Sequence, residues 1–153
     1  MFDLADPSQA STLTPGTKTN IDIVAFSFEP KIHPDEAAYF GAQGKPGSKV
    51  HLAPDYFIPS GSFFEKVGGA MPDGAFRPVA YADFAGKVVK SDLLTNVVGG
   101  GKFWRAVVTT YRGSTFDIVM DPRTVSRDPV VGSIITGRFW LSARLSAPAQ
   151  IEP

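Results

Sequence analysis

Arg138-Phe139-Trp140-Leu141-Ser142-Ala143-Arg144-Leu145 decides the fold class of this chain, because apolar and polar side chains alternate along it with period two. On an extended backbone Phe139, Leu141, Ala143 and Leu145 share one side, and Arg138, Trp140, Ser142 and Arg144 share the other. The first side is a core face. The second joins two guanidinium groups to a large aromatic ring, which suits a binding surface and equally suits a solvated sheet face lined with long side chains.

Outward from this segment, turn signals separate further β-rich runs. Ile21 to Phe28 is β-branched and aromatic and is closed by Glu29-Pro30. Pro78 to Lys90 reads as a strand with Gly86 as a bulge or bend, of the kind a closing barrel needs at a corner. The glycine-rich turn at 96–101 leads to Lys102 to Tyr111, and Arg112-Gly113-Ser114 turns the chain into Thr115 to Met120, which Asp121-Pro122-Arg123 ends. A polar connection with Pro129 then reaches Val130 to Gly137. Between 30 and 76 the pattern is looser. Pro34 to Phe40 fits a short helix stopped by Gly41, residues 41–49 a loop, 50–58 a short strand interrupted at Pro54, and 60–74 a short helix or turn followed by a loop.

Residues 84–145 resemble an OB-fold. Phe84-Ala85-Gly86-Lys87-Val88 opens a long bent strand, Phe103 to Tyr111 and Thr115 to Met120 form a hairpin, and Val131-Gly132-Ser133-Ile134 introduces a closing pair of strands. The order Gly-x-Val, Asn, Lys-Phe, Val-x-Thr, Asp-Ile-Val, Val-Gly and Gly-x-Phe-Trp-Leu also looks like that of uncharacterised bacterial proteins. The expectation is an all-β chain: one β-rich domain over 20–146 with a small OB-like barrel at 78–146. Loops from 30–75 form a cap over one end. Residues 1–19, rich in Ser, Thr, Pro, Ala and Gly, read as a mobile arm, and 147–153 as a tail.

The 153 residues, 43% hydrophobic and 20% charged, suit one domain with a proper core. The 15 Gly and 13 Pro act as punctuation between short strands rather than within long helices. The absence of Cys excludes disulfides, thiolate metal sites and cysteine nucleophiles. No apolar run approaches a membrane span, and Met1 to Asn20 carries neither a basic start nor an apolar stretch, so a soluble, cytoplasmic protein with no membrane partner is expected. Net charge is zero, but residues 1–76 hold five Lys/Arg against nine Asp/Glu, and 77–153 hold ten against six. That asymmetry marks either a basic face for an anionic partner or two halves that attract each other.

No constellation specifies a reaction, and a non-catalytic binding module without cofactor is expected. With the Trp104 face in the core, Phe103, Arg105 and Tyr111 are displayed together, beside Arg138, Trp140 and Arg144. Rings for stacking and cations for phosphate suit single-stranded nucleic acid, stacking being worth about 1–3 kcal/mol per base. The same surface suits burial against a protein partner or a second copy in a homo-oligomer. A small-ligand enzyme is the third reading. Asp83, Asp92, Asp117 and Asp121 are candidate acid/base groups, although Asp121-Pro122 reads as a turn and Asp117 as solvent-facing. His33, Asp35, Glu36, His51 and Asp55 include metal-ligand types, but at spacings that match no helical His pair. Gly99-Gly100-Gly101-Lys102 lacks the flanking residues of a nucleotide-phosphate loop and reads as a hairpin tip.

Overall fold

The computed structural model of the chain describes residues 2–14, 16, 18–44, 51–60 and 79–146. Most of the helix, turn and loop expected at 60–74, the end of the 41–49 loop and the tail at 147–153 lie outside the described residues. The described chain is mostly β. In order it forms β1 (Asp3–Leu4), β2 (Ile21–Ser27), β3 (Lys31–His33), the helix α1 (Glu36–Ala42), β4 (Phe57–Pro59), β5 (Tyr81–Thr95), β6 (Lys102–Thr109), β7 (Thr115–Met120) and β8 (Ile134–Leu145). A 3-10 helix, Pro7–Thr12, lies within the segment read as an arm, and Asp3–Leu4 ahead of it pair in parallel with Ser142 and Ala143 of β8.

The eight strands form one mixed sheet in which five pairings make a ring. β5, β6 and β7 run as an antiparallel meander, β7 pairs in parallel with β2, β2 pairs antiparallel with β8, and β8 pairs antiparallel with β5. The expected closing pair of strands near 131–145 is instead a single strand. Gly137 does not break β8: its backbone is unstrained, and a Cβ there would meet the Glu29 carbonyl oxygen at 3.4 Å and Pro30 Cα at 3.5 Å, ordinary contact distances. The remaining strand of the ring is β2, from the N-terminal side.

Alternation then sets what the ring encloses. Ala82, Phe84 and Val88 of β5, Ala106 and Val108 of β6, Ile118 and Met120 of β7, and Ile135, Phe139 and Leu141 of β8 form the buried core, with Ala25 of β2. Its centre is aromatic. Phe84 stacks on Phe139 at 4.1 Å between ring centroids, and Phe57 of β4 lies 5.5 Å from both Phe84 and Phe116. β5 can serve two partners because it bends, pairing through Tyr81–Lys87 with β8 and through Lys87–Thr95 with β6, with a register shift between Val88 and Lys90. Gly86 sits at this corner, where a Cβ would fall 2.7 Å from Val108 Cγ2. The buried Thr110 hydroxyl donates to the Ala85 carbonyl at 2.8 Å and fixes the turn after β6 onto the same corner.

The short helix expected over Pro34 to Phe40 is α1, but it starts at Glu36, with Asp35 as its N-cap accepting from the Ala38 amide at 2.7 Å, and runs through Gly41 to Ala42 rather than stopping at Gly41. It lies outside the β5–β8 seam, where Tyr39 packs with Ala85, Ile134 and Tyr56. Gln43, just past its end, exchanges two hydrogen bonds with the Leu52 backbone. Burial, chiefly, pushes the Tyr39 hydroxyl up to about 12, and that hydroxyl lies 3.0 Å from the Leu52 and Ala53 carbonyls.

Candidate interaction surfaces

The outside of the ring carries an aromatic row that follows from strand register. Arg105 stands opposite Val119, Val119 beside Phe26, Phe26 opposite Trp140, and Trp140 opposite Tyr81. Directly paired residues share a face, so these five side chains wrap one level of the outer wall. Phe26 lies 5.2 Å from Trp140, and Phe28 lies 5.6 Å from Tyr81. Sequence reasoning missed Phe26, Phe28 and Tyr81. The signal was the alternation of β2, in which Asp22, Val24 and Phe26 oppose Ile21, Ile23 and Ala25.

Of the six residues expected to form a platform, Trp140, Arg138 and Arg144 do face outward from β8, and Phe103 and Arg105 face outward from β6, with Trp104 packed against the core. They are not gathered in one place. Tyr111 lies beyond the end of β6 in a 3-10 turn, with Arg112 over its ring at 5.3 Å. Phe103 is on the part of β6 that projects past the ring, opposite Leu94.

Each of the three arginines is held by an aspartate. Arg105 makes a two-pronged contact with Asp117, Nε to Oδ1 at 3.2 Å and Nη2 to Oδ2 at 2.9 Å. Arg138 Nη2 lies 3.1 Å from Asp83 Oδ2, and Arg144 Nε lies 3.2 Å from Asp22 Oδ2. Trp140 donates its indole N–H to Asp3 Oδ2 at 2.6 Å, so β1 partly covers the ring. Such exposed pairs add little to stability, because water screens them, but they neutralise the face. One of the three pairs, Arg144 with Asp22, joins the basic half of the sequence to the acidic half.

Between these features lies an open groove of about 840 Å³ along β2, β7 and β6. Val24, Phe26 and Val107, outward from β2 and β6, are among its apolar lining. The Arg105–Asp117 and Arg144–Asp22 pairs supply its polar lining.

The second feature is the hairpin made by the far halves of β5 and β6. β8 accompanies β5 only to Lys87, and β7 accompanies β6 only as far as Trp104, opposite Met120. Beyond that level Leu94–Thr95 and Lys102–Phe103 continue as a two-stranded ribbon. Leu94 pairs with Phe103 on its outward face, and at its base Leu93 pairs with Trp104, which packs against the core. At its tip Val97 and Val98 are 98% and 93% exposed. The tip is nevertheless ordered. The Asn96 side-chain oxygen accepts from the amides of Val98 at 2.9 Å and Gly99 at 3.2 Å, the Asn96 amide donates to the Gly101 carbonyl at 2.8 Å, and Gly100 takes a φ of +69° that favours glycine. Two amides that would have to receive a bound phosphate are therefore already satisfied by Asn96.

The remaining chemical candidates are dispersed. Asp83, Asp92, Asp117 and Asp121 each face a different cation: Arg138, Lys90, Arg105 and Arg123 respectively. The Arg123 guanidinium and its amide hold the Asp121 carboxyl down at about 2. Among the described residues no three His, Asp or Glu side chains converge as a metal site would require. Burial lowers the His33 pKa, and Lys31 and Arg127 lower it further. A smaller open cavity of about 420 Å³ between α1 and β5 is lined by Glu36, Asp55, Lys87 and Thr110, with Lys87 Nζ 3.2 Å from Glu36 Oε1. Among the described residues no helix is long and apolar enough to cross a membrane. No protein-family model, no curated protein and no solved structure matches this chain.

Proposed function

We propose that this chain is a non-catalytic assembly subunit, built on an OB-like barrel, that self-associates by burying its projecting β5–β6 hairpin. Support for the barrel is the ring of five pairings with a long bent strand at its corner, β5 to β8 supplying four strands and β2 the fifth. Support for assembly is a single observation: two fully displayed valines at the tip of a ribbon that carries the Leu94–Phe103 pair on its outward face. An isolated two-stranded hairpin is marginal in water and gains stability from a third layer. The Asn96-capped turn also presets the shape of the tip, which lowers the ordering cost of docking.

This reading is preferred to single-stranded nucleic-acid binding because Arg105, Arg138 and Arg144 are each matched by an aspartate. A polyanion must displace those carboxylates or be repelled by them. Light scattering of the wild-type chain is expected to give a mass that rises with concentration. The double substitution V97D/V98D is expected to give a single-copy mass at every concentration, with a melting temperature within the range of a neutral surface change. A wild-type chain that remains single at high concentration overturns the proposal. So does oligonucleotide quenching of Trp fluorescence with a steep salt dependence, which returns the aromatic wall to the nucleic-acid reading.

A further inference from the structure

We infer that the hairpin tip of one copy docks into the β2–β7–β6 groove of the next, so that assembly is head to tail. The inference rests on the proposed self-association and names its receiving surface. Charge is the first argument. From Leu93 to Gly101 the hairpin carries no ionisable side chain. Both arginines in the groove are already neutralised by their own aspartates, Arg105 by Asp117 and Arg144 by Asp22. An uncharged occupant leaves both pairs intact, whereas a charged one must break a pair or bury an unmatched charge, which costs several kcal/mol. Chemistry is the second argument. The groove offers Val24, Phe26 and Val107 beside the two pairs, apolar surface suited to Val97 and Val98, and its volume of about 840 Å³ lies in the range of sites that bury a compact ligand.

The hairpin does not fill its own groove, since Val97 and Val98 touch almost nothing in their own chain. Donor and acceptor are also different parts of the surface, one a ribbon beyond the end of the ring and the other on the wall. A contact between unlike surfaces repeats from copy to copy, and it closes into a ring or extends as a filament according to the rotation between neighbours.

The test uses two full-length variants, each lacking one half of the contact. V97D/V98D keeps the groove and loses the tip. V107R keeps the tip and places a long cation in the groove, at a half-exposed outward position of β6. Each alone is expected to remain single, and an equimolar mixture is expected to give a species of twice the single-copy mass and nothing larger. If V107R assembles like the wild type, or if the mixture stays at the single-copy mass, the docking scheme is overturned while self-association stands on the wild-type result. A wild-type chain that never associates overturns the assembly reading itself. Should V107R lose its folded circular dichroism, V24R on β2, across β7 from Val107, is read in the same way.

Discussion

Phe84→Ala is expected to lower the unfolding free energy by about 3–5 kcal/mol, measured by urea denaturation in the single-copy V97D/V98D background so that assembly does not enter the balance. Phe84 is fully buried, and its ring bridges Phe139 at 4.1 Å and the Phe57 and Phe116 rings at 5.5 and 5.7 Å. Truncation leaves a cavity at the centre of a ring of strands whose backbones are tied to one another and so cannot collapse into it. The penalty therefore combines lost transfer energy with lost contacts. Against a total of roughly 5–15 kcal/mol for a domain, this is a large share. Phe103→Ala, on the projecting ribbon, should cost the isolated chain far less. A loss below about 1.5 kcal/mol at Phe84 would contradict the aromatic centre of the core.

Gly86→Ala is expected to cost about 2–3 kcal/mol, the upper part of the range for overpacking a filled core. The added methyl group would lie 2.7 Å from Val108 Cγ2, 2.8 Å from Val108 Cβ and 3.3 Å from the Thr109 carbonyl. Val108 is itself fully buried and cannot swing aside. The cause is the approach of β6 to β5 where β5 exchanges one partner for another, so the defect is steric and not one of backbone conformation. A double-mutant cycle makes the point separable. Val108→Ala should destabilise the native chain yet partly restore Gly86→Ala, giving a combined loss smaller than the sum of the two. Additive losses would show that the corner is not as tight as described.

Much of this architecture was legible in the residues, for physical reasons that can be named. Strand positions followed from period-two alternation bounded by Gly and Pro, so β2, β6, β7 and the C-terminal half of β8 fall where the pattern places them. Gly86 was readable as a corner because a glycine inside a buried strand signals close backbone approach. Gly137 reads as punctuation between two strands, yet it lies inside the single strand β8. The partnership of β2 with β7 was not readable at all, since alternation fixes the face of a strand and not its neighbour.

The candidate site divides in the same way. Outward placement of Arg105, Trp140 and Arg144 followed from parity. Their pairing with Asp117, Asp3 and Asp22 did not, because each aspartate lies on a different strand brought alongside by the ring. A surface that reads from β6 and β8 alone as aromatic and cationic is aromatic and neutral once β1, β2 and β7 are in place. The hairpin escaped notice for the opposite reason. Asn96-Val97-Val98-Gly99-Gly100-Gly101 reads as a turn, and only the end points of β7 and β8 show how far that turn stands out from the ring.

Amide hydrogen exchange of the wild-type chain, compared at low and high protein concentration, tests burial of this hairpin most directly. The amides of 93–103 are expected to slow by roughly tenfold or more on concentration, equivalent to about 1.4 kcal/mol of added protection, while those at the centre of β5 and β8 stay unchanged. Protection of 93–103 that is the same at every concentration would contradict the account.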